Sequence, residues 1–127
     1  MPNNNGPEVT ITLGATVAAF ALVKLTNGIG YPTTGVASED NTLFGIAQEA
    51  GDSGDDIRVR CINASSISDV LVGGAISKGA RVFTAASGKG SATATSLTTI
   101  GMALDAATAD GDIISVAHTV GGNDDIS

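Results

Sequence analysis

The sequence predicts an all-β fold: a small compact β-barrel or sandwich built from two similar β units, with a flexible N-terminal arm and at most short helical turns. Three observations predict it. Apolar segments are short and are broken throughout by Gly, Ser, Thr and Asp, with 17 glycines in 127 residues. No segment carries a convincing apolar stripe at helical spacing. The chain also repeats itself, and a short β-rich repeat is the mark of a duplicated supersecondary unit.

The repeat is visible in three places. Gly14-Ala-Thr-Val-Ala-Ala-Phe-Ala-Leu-Val23 lies over Gly73-Gly-Ala-Ile-Ser-Lys-Gly-Ala-Arg-Val82, matching Gly14 with Gly73, Val17 with Ile76, Ala21 with Ala80 and Val23 with Val82 at an offset of 59 (76 − 17). Phe44-Gly-Ile-Ala-Gln-Glu-Ala50 lies over Ile100-Gly-Met-Ala-Leu-Asp-Ala106 at an offset of 56 (100 − 44), which matches Glu49 with Asp105. Asp52-Ser-Gly-Asp-Asp-Ile57 lies over Thr108-Ala-Asp-Gly-Asp-Ile113, which matches Asp56-Ile57 with Asp112-Ile113 and Ser53 with Ala109.

The elements follow in order. Residues 1–13 read as an arm: Met1–Glu8 is polar and turn-rich, and Glu8-Val-Thr-Ile-Thr-Leu13 alternates as a strand does. Thr16 to Leu25 fits helix and strand about equally, but its counterpart Ile76–Phe83 contains Gly79, which argues against a helix. Asn27–Asn41 and Ser87–Thr95, low in charge and rich in Gly, Ser and Thr, read as loops. Strands start at Phe44 and Ile100, and each leads through an acidic turn to a last strand. Gln48–Gly51 and Asp105–Ala109 have room for one helical turn. In the first copy's last strand Ile57, Val59 and Cys61 share a face. In the second copy Ile113, Ser115 and Ala117 alternate with Ile114, Val116 and His118, so both faces are apolar, which predicts deeper burial or a face against a partner. The expected organisation is an arm over 1–13, one domain over 14–120 made of repeats at about 14–62 and 73–118, and a tail over 121–127.

Composition narrows the function. The net charge is −7, from 13 acidic and 6 basic residues. The bases Lys24, Arg58, Arg60, Lys78, Arg81 and Lys89 are scattered and aromatics make up 3% of the chain, so neither a phosphate-binding patch nor a base-stacking platform is built and no nucleic acid is expected as partner. Ala, Val, Ile and Leu make a thin core, as in small domains that gain stability from partner subunits. The N-terminus lacks the basic-then-apolar pattern of a secretion signal, and the longest apolar run, Ala15–Val23, is too short to span a bilayer, so no membrane is expected as partner. Cys61 is the single cysteine and reads as a small apolar strand residue.

The catalytic candidates are few. Gly51-Asp-Ser-Gly54 resembles the nucleophile loop of chymotrypsin-like serine proteases, and Ser53 would need His118, the one histidine, as its base. The second copy keeps the acidic turn without the serine, Asp55 stands where the protease loop continues with Gly, and the chain is about half the length of such an enzyme, so the turn and not the hydroxyl is what the fold repeats. His118 alone is a poor metal site and reads as a strand or interface residue. Asp52, Asp55 and Asp56 lack the spacing and closing Glu of a calcium loop and read as turn residues. Gly28-Ile-Gly30 and Gly88-Lys-Gly90 lack the remainder of a phosphate loop. No catalytic residue, metal ligand or cofactor is expected.

Gly74-Ala-Ile-Ser-Lys-Gly-Ala-Arg-Val82, then Thr99-Ile-Gly-Met-Ala-Leu-Asp-Ala-Ala107, then Asp110-Gly-Asp-Ile-Ile-Ser-Val116 resembles the small decoration, or capsid cement, proteins of tailed-bacteriophage heads. The resemblance covers mainly residues 72–116. The first copy departs from it, with Phe20 where the pattern has Gly. The resemblance implies an all-β structural virion protein, made in the host cytoplasm, that assembles as a homotrimer on the outer capsid surface and clamps neighbouring capsomers through the major capsid protein. The strand-like Glu8, Val9, Thr10, Ile11, Thr12 and Leu13 form the segment expected to pair with an exposed strand edge of the shell. Two other classes are weighed beside it. A glycan- or receptor-binding head fibre or spike module would want exposed aromatics, of which the chain offers Tyr31, Phe20, Phe44 and Phe83. A small serine hydrolase would rest on Ser53 and His118.

Overall fold

The computed structural model describes residues 8–34, 42–61, 67–92 and 99–118. The described residues form ten strands: β1 (Glu8–Thr12), β2 (Leu22–Thr26), β3 (Ile29–Pro32), β4 (Leu43–Ala47), β5 (Asp56–Cys61), β6 (Ile67–Gly73), β7 (Arg81–Thr84), β8 (Gly90–Ser91), β9 (Thr99–Ala103) and β10 (Asp110–His118). The first five form a sheet in the order β1-β5-β4-β2-β3, and the last five a closed barrel in the order β10-β6-β8-β7-β9. Substituting β6 for β1 and so on through β10 for β5 turns one order into the other. Even the parallel closure recurs: Val72 pairs with Gly90 in the C-terminal unit, and a parallel bridge joins Leu13 to Gly30 in the N-terminal one. The fold is the expected all-β barrel built from two similar units, with no helix among the described residues.

The structure extends each repeat N-terminally by one strand. The segment Glu8–Thr12 is β1, paired position by position with β5 from Glu8–Arg60 to Thr12–Asp56, and its repeat counterpart is β6. The two share little sequence because their outward faces differ. The segments read as loops also carry strands: Asn27 (φ 52) and Gly28 (φ 80) make the tight turn of the β2–β3 hairpin, a turn that needs two left-handed residues in succession. Residues 1–7, 35–41, 62–66, 93–98 and 119–127 lie outside the described residues.

Each unit encloses its own core. Leu13, Val17, Ala21, Val23, Ala47, Ile57 and Val59 fill the N-terminal unit. Val72, Ile76, Val82, Ala103, Ile114 and Val116 fill corresponding places in the C-terminal one, with Ala80 packed against them. This correspondence corrects the alignment of the last strands. Ile57 corresponds to Ile114, since Ile57 and Ile114 are both 3% exposed and Ile113 is 48% exposed. The turn agrees. Gly54 (φ 93) matches Gly111 (φ 94), and the carboxylate of Asp55 accepts the Asp52 N–H as that of Asp112 accepts the Ala109 N–H. The reciprocal bonds of Val17 with Gly51 and of Ile76 with Ala107 show where the shift enters: Thr108 is one extra residue in the second copy. Ser53 therefore corresponds to Asp110, not Ala109, and the hydroxyl is still absent from the second copy.

The Phe20 departure is also resolved. Phe20 takes φ 65 at the place where Gly79 takes φ 89, a left-handed conformation that a side chain strains by about 1–2 kcal/mol. The local bonds are the same: the N–H of Phe20 donates to Ala47 O, and that of Gly79 to Ala103 O, both at 2.8 Å. What differs is the neighbour. Phe20 packs on the C-terminal unit's core cluster, and its carbonyl accepts the Leu71 N–H at 2.8 Å. Leu71 in turn packs on the N-terminal core. Leu22 donates its N–H to Gly88 O at 2.6 Å, and the Thr33 hydroxyl donates to Ala85 O at 2.8 Å. The units thus pack head to tail: the β2–β4 face of the first receives the β7–β8 hairpin tip and Leu71 of the second.

Candidate functional site

The carboxylates of the acidic turns hold the turns together. Asp56 accepts the Thr12 hydroxyl, Asp52 accepts the Thr16 hydroxyl at 3.2 Å, and Asp55 caps the Asp52 N–H at 2.9 Å. Glu49 accepts the Arg58 N–H and Asp105 accepts the Ser115 N–H, so the matched acids do one job in both copies. The N–H groups of Thr108 and Ala109 hold the Asp112 carboxyl below the usual carboxylate range, because they bond its charged form. Among the described residues no group of three or more His, Cys, Asp or Glu is arranged to hold a metal ion.

The two residues of the hydrolase reading belong to different units. Ser53 lies in the exposed turn before β5, and His118 ends β10, where its backbone pairs with Gly101. Cys61 ends β5, and burial pushes its thiol up, away from the thiolate a nucleophile needs. Tyr31 stands on β3 against Gly14, beside a shallow pocket of about 380 Å³ lined by Ala15, Lys24, Thr26, Tyr31, Pro32 and Thr34.

What remains is surface, and the two units present it differently. The outward face of β1 and β5 carries Glu8, Thr10, Thr12, Asp56, Arg58 and Arg60. Arg58 spans the gap between Glu8 (3.6 Å) and Glu49 (3.5 Å), both surface pairs. On β1 the side chains of Val9 and Thr10 are exposed, Ile11 packs on the core and Leu13 is buried. β1 stands at one end of its sheet order, hydrogen-bonded along its length to β5 and tied to β3 beyond its end at the Leu13–Gly30 bridge. The structure thus places Glu8–Thr12 on one edge strand, with Leu13 just beyond it buried and bridged to Gly30.

The same face of the C-terminal unit is more apolar, with Asp69 and Ser115 as its polar pair. Ile67, Leu71, Ile113 and Ala117 replace Glu8, Thr12, Asp56 and Arg60. Ile67 is 59% exposed, and Ile113 and Met102 are 48% and 45% exposed. The two-faced apolar pattern of β10 is therefore not deeper burial, since Ile113 faces outward. Sequence reading overlooked Ile67 and Met102; the signal for Ile67 is the repeat correspondence of β6 with β1, in which Ile67 falls on Glu8.

Comparison with known proteins gives the family. The phage cement protein family model matches residues 2–118. No curated protein matches. Among solved structures, the chain is similar to the base of the head fibre protein gp8.5 of bacteriophage phi29, with a TM-score of 0.68 and 19% identity, over 88% of this chain and 92% of that one. That likeness shows the shared fold. The chain belongs to the phage cement protein family.

Proposed function

We propose that this phage cement protein, a structural component of the virion on the outer capsid surface, engages the major capsid protein through β1, acts as one domain of two units, and does so as a homotrimer. The observation that supports this contact is the position of β1. An edge strand presents backbone groups to any strand laid beside it, and Glu8–Thr12 is the edge at which the side chains facing outward are polar and small. The mixed charges around Arg58 give such a contact register and salt sensitivity more than raw strength. The reading contains no catalytic step, and a fluorophosphonate probe is expected to leave Ser53 unlabelled.

The test replaces Val9 and Thr10 together by Lys. Both are exposed, so the fold stands, while two charges on an edge strand oppose pairing with another chain. Co-sedimentation with heads that lack the protein should weaken by about tenfold or more, the equivalent of ~1.4 kcal/mol. Unchanged binding would remove β1 from the interface.

A further inference from the structure

The C-terminal unit carries an outward row that the N-terminal unit shows how to cover. Arg81 pairs with Met102 across β7 and β9, Met102 with Ala117 across β9 and β10, and Ala117 with Ile67 across β10 and β6. The corresponding row of the N-terminal unit is Leu22, Ile46, Arg60 and Glu8, joined by the same cross-strand pairs. There Leu22 and Ile46 are both 0% exposed and belong to the C-terminal unit's core cluster. They are covered by another copy of the unit, whose hairpin tip places Gly88 O on the Leu22 N–H and approaches so closely that a Cβ at Gly88 would meet Ala21 and Pro32.

Head-to-tail packing leaves one of each element unused in every chain. The receiving face of the C-terminal unit, with Met102, Ala117 and Ile67, is open. The hairpin tip of the N-terminal unit, Thr26-Asn27-Gly28, is exposed throughout, and nothing lies within 4 Å of where a Gly28 Cβ would stand. Thr26 corresponds to Ala85, which accepts the Thr33 hydroxyl in the junction inside the chain. We infer that the face carrying Arg81 and Met102, with Ala117 and Ile67 beside them, is covered by a second copy of this chain, whose β2–β3 hairpin tip docks at Arg81 and Met102 as the β7–β8 tip docks at their counterparts Leu22 and Ile46. Such an interface joins unlike surfaces, so it closes into a ring when its rotation allows. The inference specifies the contact behind the homotrimer of the proposed function, and it does not depend on binding to the shell.

Light scattering on the purified full chain tests it, with three proteins compared: the wild type, Ile67→Glu/Met102→Glu, and Thr26→Arg. All three sites are exposed, and a cooperative far-UV melt at the wild-type temperature establishes that each variant folds. The wild type should have a mass that is a multiple of 12.5 kDa, and both variants should fall to 12.5 kDa. A wild type of 12.5 kDa overturns the inference, as does a row variant that keeps its mass. A row variant that keeps its mass but no longer binds heads would assign the row to the shell instead. Loss of assembly in the row variant with Thr26→Arg unaffected would overturn the head-to-tail contact. An intact oligomer that ignores heads would sink the capsid reading and leave this inference standing.

Discussion

Replacing Phe20 by Gly and by Ala separates two effects that the structure assigns to one residue. Phe20 holds φ 65, where its counterpart Gly79 holds φ 89. Any Cβ in that conformation costs roughly 1–2 kcal/mol. Against this, the ring packs on the C-terminal core while remaining partly exposed. A fully buried Phe→Ala costs about 3–5 kcal/mol, so a half-buried one forfeits about 2. Phe20→Ala keeps the strain and loses about 2 kcal/mol. Phe20→Gly loses the same packing, recovers the strain, and gives back about 0.5–1 kcal/mol in unfolded-chain entropy. It should therefore be more stable than Phe20→Ala by about 0.5–1 kcal/mol, or ~2–5 °C in Tm for a chain of this size. That order reverses the usual one, in which Ala exceeds Gly. At Gly79, where a new Cβ meets nothing within 4 Å, Ala should cost about 1 kcal/mol through strain alone. Far-UV circular dichroism melts read all four proteins. An Ala variant at residue 20 as stable as the Gly variant would refute the left-handed strain. A Gly variant more stable than the wild type would refute the ring's part in joining the units.

Three further outcomes follow from the same geometry. A Cβ at Gly45 would overlap the Arg60 carbonyl oxygen across the β4–β5 ladder, so Gly45→Ala should cost about 3 kcal/mol or more and abolish a cooperative melt near the wild-type Tm. In Gly14→Ala the new carbon would lie 2.5 Å from Tyr31 Cζ, forcing the ring outward; with one Tyr and no Trp in the chain, the change should appear directly in tyrosine fluorescence and near-UV dichroism. Asp112 titrates below its unfolded value, so it contributes stability above an ordinary carboxylate pKa of about 4 and loses it as pH falls through the lowered one. The Tm gap between wild type and Asp112→Asn should thus be present at pH 7 and shrink below about pH 4; a gap that widens in acid would contradict the two N–H bonds.

The duplicated all-β plan was legible because its core positions repeat: Val17 with Ile76, Val23 with Val82 and Ala47 with Ala103 keep size and apolarity in both copies. The single inserted Thr108 was not, because Asp-Ile occurs one residue early in the second copy and two adjacent isoleucines, Ile113 and Ile114, offer equally good partners for Ile57. Backbone conformation, through Gly54 and Gly111, decides between them. The kinship of β1 and β6 was hidden because their outward residues differ: Glu8, Thr10 and Thr12 share nothing with Ile67, Asp69 and Leu71. Phe20 looked like a break in the pattern and proved to be part of the joint: its carbonyl accepts the other unit's Leu71 N–H and its ring packs on the cluster that spans both units, while its backbone keeps the glycine conformation. The segment Glu8–Leu13 was legible as a strand by its alternation, and its pairing with β5 fixes which of its residues face outward.

The proposed contact with the shell is tested by heating. DNA-filled heads lacking the protein should release their DNA at a lower temperature than heads to which the purified chain has been added to saturation. The Val9→Lys/Thr10→Lys variant, added at the same concentration, should restore less of the difference. Saturated heads that release DNA at the same temperature as bare ones would contradict the account.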